Sequence, residues 1–173
     1  DQGFDLAKEA EPVFAAPPLL SEKLDSGEID ALITFWHFAA KQRAHGARDV
    51  ATVIDAAKAL GLDAETPLLG YVFSEKWSSG NDDAIKKLAK ASADAKALLA
   101  SDDKEWARLR PLMNVKDDAE FEALKAGFRA GIPTSSAVNP KGAATLFAVL
   151  AKIGGTDLAG DKPELAAGTF AVT

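Results

Sequence analysis

The stretch that decides the predicted fold is IDALITFW, residues 29–36. It is almost continuously apolar after Asp30, and such a run is typical of an inner strand in a parallel sheet, because both faces of that strand are covered. We therefore predict that residues 29–36 form an inner strand of the fold.

Working outward, strand and helix patterns alternate around this run. Residues 12–16 (PVFAA) form a short apolar run before a helical pattern at 19–25, and a helical pattern at 37–45 is followed by a strand pattern at 49–54 (DVATVI). This alternation builds parallel sheets, so the sequence predicts the α/β class.

The C-terminal half is expected to be rich in helices. After an extended pattern at 67–73 (PLLGYVF), helices are predicted to begin at Asn81, Ser101, Asp117 and Pro140. Three strand patterns are fewer than a doubly wound sheet usually contains, so we expect the remaining strands to lie in sequence that is absent here.

Composition excludes several classes of function. The 173 residues carry a net charge of -6 and no cysteine, which argues against nucleic acid as a partner and excludes disulfides and thiolate catalysis. The N-terminal DQGFDLAKEA has no signal-peptide pattern, so we expect either a mature N-terminus with the signal peptide removed or a start inside a longer sequence. No apolar run approaches the length of a membrane helix, which predicts a soluble chain.

Neither catalysis nor metal binding is indicated. The two histidines, His37 and His45, lie eight positions apart on one predicted helix, too far to share a metal ion. The acidic pairs at 82–83, 102–103 and 117–118 each begin a predicted helix, and stabilisation of helix starts explains them. We expect no catalytic residue, no metal site and no cofactor.

A ligand site is predicted where strand ends turn into helices, since open parallel sheets bind ligands there. The helix starts offer free backbone N–H groups, and Trp36 combines a large apolar face with one donor. The alternative is that Phe35 or Trp36 is simply a core aromatic residue. The predicted ligand-binding residues are Ala16, Pro17, Thr34, Trp36 and His37, with Tyr71 from the later extended segment.

LDSGEIDALITFW, residues 24–36, resembles the second-lobe segment of ABC-importer substrate-binding proteins of the nitrate, sulfonate and thiamine-precursor type. In that group a strand, a helix ending in L-x-x-G-E-I-D-A and an apolar strand ending in an aromatic residue recur in this order. GYVFSEKW (70–77), RAGIP (129–133) and GTF (168–170) are also similar, so the resemblance covers nearly the whole chain.

The resemblance implies part of a two-lobed type II periplasmic-binding-protein fold. Residues 1–55 would belong to the second α/β lobe, and residues 64–173 to the C-terminal part of the first lobe. The implied function is that of the extracytoplasmic solute-binding component of an ABC importer. It would bind a small polar molecule between two lobes in the periplasm and deliver it to a membrane permease, without enzymatic activity.

Half of the pocket expected from the resemblance would come from an N-terminal segment that has no counterpart here. We therefore expect a missing N-terminal segment or a companion fragment of the same protein as a further partner, and the sequence does not specify the ligand. Two alternatives stay open. One is an enzyme on the same bilobal scaffold, similar to the thiamine-pyrimidine synthases, for which only His37 qualifies as a reactive group. The other is a helical interaction domain, which predicts an exposed apolar patch.

Overall fold

The computed structural model describes residues 5–63, 66, 68–133, 139–162 and 164–170. Within these ranges every regular element is a helix. In chain order they are α1 (Leu6–Glu9), α2 (Pro17–Asp25), α3 (Trp36–Ala44), α4 (Val53–Ala59), α5 (Glu75–Ser78), α6 (Asp82–Ser101), α7 (Asp103–Leu109), a 3-10 turn (Arg110–Leu112), α8 (Asp118–Ala130) and α9 (Pro140–Ala159).

The helices are distributed over two compact units. Unit 1 comprises Asp1–Arg48 and Asp103–Gly131, and therefore holds α1 to α3, α7, the 3-10 turn and α8. Unit 2 comprises Asp49–Asp102 and Ile132–Thr173, with α4 to α6 and α9. The two lobes predicted from the sequence, residues 1–55 and 64–173, are a different division of the chain, and that division stays a prediction.

The α/β prediction, and with it the type II periplasmic-binding-protein fold, is wrong for the described part of the chain, which contains no strand and no sheet. Residues 29–35 are irregular, and Trp36 is already the first residue of α3. The strand pattern at 49–54 likewise ends inside α4, which begins at Val53. Apolar and β-branched residues favour extended backbone, but a strand forms only where a neighbouring strand completes its hydrogen bonds.

The burial expected of inner strands is also absent from these segments. Phe35 is extended, with φ -73° and ψ 154°, yet the side chain of Ile33 is 93% exposed. Residues 68–73 of the later extended pattern have no regular structure, and Val72 is 95% exposed. Pro67 lies outside the described residues. The sequence pattern therefore predicted the extended conformation of Phe35, but not the exposure of these segments.

Helix starts and ends follow local sequence more closely. Asp117 caps α8 as predicted, because its side chain accepts a hydrogen bond from the Glu120 backbone N–H at 2.8 Å, and the helix stops before Gly131. Pro140 opens α9 as predicted, but the helix continues past Gly155, where a φ of 58° and ψ of -152° interrupt the helical backbone. The predicted helix start at Ser101 is wrong, since Ser101 is the last residue of α6.

The core of unit 1 lies where α3 packs against α8. Ala40 on α3 is fully buried, and Phe121 and Leu124 of α8 are buried too. Gly127 permits the close approach, because a methyl group added there would lie 3.2 Å from two ring carbons of Trp36. Small residues at Ala40 and Gly127 thus bring the first turn of α3 against α8.

In unit 2, side-chain caps mark the starts of α4 and α9, and few of the described side chains are buried. Thr52 and Asp55 form a capping box at the start of α4. Asn139 caps α9 and donates a hydrogen bond to the Asp63 carboxylate at 2.7 Å. Contrary to the expectation that no apolar run approaches the length of a membrane helix, α9 could cross a membrane by length and composition. Among the described residues it is the one such helix, and its apolar segment is not buried. Core helices of soluble proteins and signal sequences can have the same length and apolar composition.

Candidate functional site

The candidate site is a cavity of about 360 Å³ in unit 1, partly open to solvent. Its volume falls within the range of ordinary ligand pockets, roughly 300–1,000 Å³. It is formed by the first half of α3, by α7 and α8, and by the loop after the 3-10 turn. The lining residues are Trp36, His37, Phe38, Lys41, Trp106, Met113, Asn114, Leu124 and Phe128.

The spacing of residues along α3 explains which of its side chains reach the pocket. His37 and Lys41 are four apart and Phe38 and Lys41 three apart, so the three lie on one face of the helix. Trp36 lies at the start of the helix, and its ring lies beside Gly127 on α8, where an added methyl group would be 3.2 Å from the ring. The aromatic cluster at the start of α3 is thus shared between the pocket and the packing of the two helices.

Aromatic rings dominate the pocket. Trp106 and Phe128 meet edge to face, with ring centroids 5.3 Å apart and an interplanar angle of 72°. The His37 ring lies 4.5 Å from the Phe38 ring and 5.7 Å from the Trp36 ring. Edge-to-face and tilted pairs are the arrangements that aromatic quadrupoles favour, so these rings hold one another in fixed orientations.

Lys41 and Asn114 supply the polar part of the wall. Asn114 has a φ of 50°, a left-handed conformation that asparagine tolerates better than most residues. In that conformation its backbone carbonyl accepts a hydrogen bond from the Lys41 ammonium group. The turn at Asn114 thereby fixes the lysine side chain at the edge of the pocket.

Behind Lys41 lies a buried carboxylate. Glu120 is 2% exposed, its Oε1 lies 3.1 Å from Nε2 of His45, and its Oε2 accepts from the Lys116 backbone N–H at 2.9 Å. The Lys41 ammonium lies 3.6 Å from Oε2, an ion-pair distance but too long for a hydrogen bond. Asp117 Oδ2 also faces His45, at 3.9 Å.

These contacts act on the ionisation of Glu120. Burial raises the pKa of its carboxyl, but the Lys116 N–H, the His45 ring and the charge of Lys41 together lower the pKa below the ordinary value of a glutamate. The ionised form is therefore stabilised more in the folded chain than in the unfolded chain.

A pH dependence of stability follows from this lowered pKa. Stability from Glu120 is fully present above the unfolded pKa, about 4.3, and is lost as pH falls through the lower folded value. In denaturant titrations at a series of pH values, the loss below about pH 5 should be smaller in Glu120→Gln than in the native chain. Parallel curves for the two proteins would contradict this assignment.

Of the six ligand-binding residues predicted from the sequence, two are among the described lining residues of the pocket. Trp36 and His37 both line the pocket. Ala16 is the N-cap of α2, and Pro17 is the first residue of that helix. Neither is among the described lining residues of the pocket. Thr34 lies in the irregular segment, where its Oγ1 is buried without a hydrogen-bond partner among the described atoms. Tyr71 belongs to unit 2, and its hydroxyl donates to Ser92 Oγ at 3.0 Å.

Sequence reasoning missed most of the pocket. Trp106, Asn114 and Phe128 come from sequence some 70 to 90 positions after Trp36, and no local pattern links them to α3. One signal was available for Glu120: an aspartate at an N-cap followed three residues later by a glutamate is typical of a reciprocally capped helix start. That spacing indicates a carboxylate held close to the backbone, but not its pairing with His45 or Lys41.

No known protein family and no curated protein sequence matches this chain. The resemblance to substrate-binding proteins therefore stays a prediction. No group of three or more metal-ligating side chains occurs within the residues that the structure describes. What the site offers chemically is a set of aromatic faces, one imidazole, one carboxamide and one ammonium group, without a carboxylate or hydroxyl among the described lining side chains.

Proposed function

We propose that this chain is a binding protein for a small organic molecule, held in the aromatic pocket of unit 1. The observation that carries the proposal is the cavity of about 360 Å³, which Trp36 and His37 line together with Trp106 and Phe128. Pockets of this size with mainly apolar walls and a few polar groups are the usual form of small-molecule sites. The lining groups suit binding rather than catalysis, because His37 lies among aromatic rings.

The setting we propose is that of an extracytoplasmic solute-binding component, which delivers its ligand to an ABC permease in the membrane. The resemblance of residues 24–36 to such proteins supports it. The helical fold of the described residues does not match the two-lobed α/β fold of that group. The proposal of binding therefore rests on the pocket within unit 1 and not on a cleft between lobes.

Replacing Trp36 or His37 with alanine tests this proposal. Mass spectrometry of the denatured, purified protein identifies any small molecule that co-purifies, and the amount bound per chain is then compared among variants. In calorimetric titration with the molecule so identified, we expect Trp36→Ala to lower the affinity about tenfold or more, since a large aromatic contact is removed.

A matched control is available in unit 2. Trp77 is 46% exposed and Trp36 is 49% exposed, so the two substitutions remove similar amounts of partly exposed aromatic surface. Trp77→Ala should leave the bound molecule unchanged. Retention of the same molecule by Trp36→Ala and His37→Ala, with both variants folded, would remove the pocket from consideration.

A second candidate is the helical interaction domain, which the exposed apolar side chains of unit 2 favour. Leu69 and Val72 are exposed in the irregular segment before α5, and α9 is apolar and unburied. Surfaces of this kind mark protein interaction sites or membrane contacts. Under this alternative no small molecule would co-purify, and substitutions in unit 1 would leave partner binding intact.

A further inference from the structure

The chemical class of the ligand can be inferred from the arrangement of rings and charge in the pocket. Trp36 and Phe38 approach from α3, whereas Trp106 and Phe128 approach from α7 and α8. Aromatic faces and edges supplied from different helices favour a flat, rigid ring over a bulky aliphatic group, because ring pairs gain energy beyond the burial of their area.

A cation lies at the pocket edge, and the carboxylate that pairs with it lies outside the described lining residues. Lys41 is the charged side chain among the described lining residues, and its side chain is 22% exposed. Its partner Glu120 does not depend on it for hydrogen bonds, because the two carboxylate oxygens already contact His45 and the Lys116 N–H. The ammonium group, which uses one of its three donors on Asn114, can therefore bond to an anion without leaving Glu120 unsatisfied.

We infer that the pocket takes a planar aromatic carboxylate, with its ring among Trp36, Phe38, Trp106 and Phe128 and its carboxylate at the Lys41 ammonium group. The inference rests on the proposed function, because both concern the same pocket. Charge-assisted hydrogen bonds to a carboxylate are among the stronger polar contacts, so the charge and the ring each make a measurable contribution.

Three probes with the same two-ring skeleton distinguish the contribution of the aromatic ring to affinity from that of the negative charge. They are 2-naphthoate, its saturated analogue decahydro-2-naphthoate, and the uncharged 2-naphthamide, each titrated calorimetrically into the full chain. We expect 2-naphthoate to bind about tenfold or more tightly than either of the other two. Equal binding of the saturated acid would overturn the aromatic requirement, and equal binding of the amide would overturn the anionic one.

A lysine variant localises the charge preference. Lys41→Met should bring the affinities for 2-naphthoate and 2-naphthamide to within about twofold of each other, and Lys41→Arg should retain most of the preference. Lys104→Met, an exposed position on α7 outside the pocket, is the matched control. The comparison of probes on the native chain needs no variant, so it stands even where Lys41→Met fails to fold.

Failure of this inference is distinguishable from failure of the proposed function. If none of the probes binds at millimolar concentration, the aromatic carboxylate class is wrong. The proposed function is decided separately, by whether Trp36→Ala loses a co-purified molecule of some other class. A preserved preference for 2-naphthoate in Lys41→Met would place the anion elsewhere and overturn the assignment to this lysine.

Discussion

Trp106→Ala is expected to destabilise unit 1 by about 3–5 kcal/mol, the largest effect we predict for a single substitution. Trp106 is 4% exposed, packs edge to face against Phe128 and lies under the Arg129 guanidinium. Its removal leaves a cavity between α7 and α8 as well as losing buried area, and helices this short cannot close the gap without giving up other contacts.

The measurement is denaturant unfolding followed by far-ultraviolet circular dichroism, because removing a tryptophan changes the fluorescence signal itself. Trp77→Ala serves as the control, and its side chain is about half exposed in unit 2, so we expect a loss of about 1 kcal/mol or less. A similar small loss for Trp106→Ala would mean that α7 does not contribute to the core of unit 1. Because Trp106 also lines the pocket, the variant should lose ligand as well.

The second large effect concerns Glu120. Glu120→Ala removes the acceptor for the Lys116 N–H and for His45, and takes away the charge facing Lys41, at an expected cost of about 3 kcal/mol. Glu120→Gln keeps the shape and one acceptor, so its cost should be smaller, about 1–2 kcal/mol. We expect the alanine variant to be the less stable of the two, because it leaves more buried polar groups without partners. The cost of leaving such groups without partners exceeds the net gain from forming a hydrogen bond or ion pair.

Glu122 provides the control on the same helix. Its carboxylate is exposed, and its partner Lys125 also faces Asp103, so Glu122→Ala leaves no buried charge without a partner and should change stability by about 0.5 kcal/mol or less. Unfolding of unit 1 can be followed by fluorescence in a Trp77→Phe background, since Trp36 and Trp106 then provide the signal. Equal effects at Glu120 and Glu122 would show that the buried carboxylate has no special role.

The two assignments at the start of α3 illustrate how far sequence reasoning reached. The sequence pattern predicts Trp36 as the last residue of a strand and His37 as the first residue of a helix, and both residues do line the cavity. The sequence predicts the ligand site at the carboxyl end of a strand, and that strand is absent from the described residues. The helix start was predictable from local pattern, whereas the neighbours of that helix come from residues far away along the chain.

His45 shows the opposite case. The sequence pattern at 37–45 predicts only that this residue lies at the end of a helix. The structure places it at the C-cap of α3, facing Glu120 and Asp117 of the distant α8 start. The interaction could not be predicted, because only the crossing of α3 and α8 brings positions 75 residues apart within hydrogen-bond distance.

The sequence by itself determined the start of α8 at its Asp117 cap, the opening of α9 at Pro140, the absence of thiol chemistry and the extended backbone of Phe35. These properties depend on a few neighbouring residues or on composition alone. The tertiary structure decided whether the extended segments become strands and which rings enclose a cavity. Those outcomes depend on partners distant in sequence, because ladder hydrogen bonds and side-chain packing are made between segments and not within them.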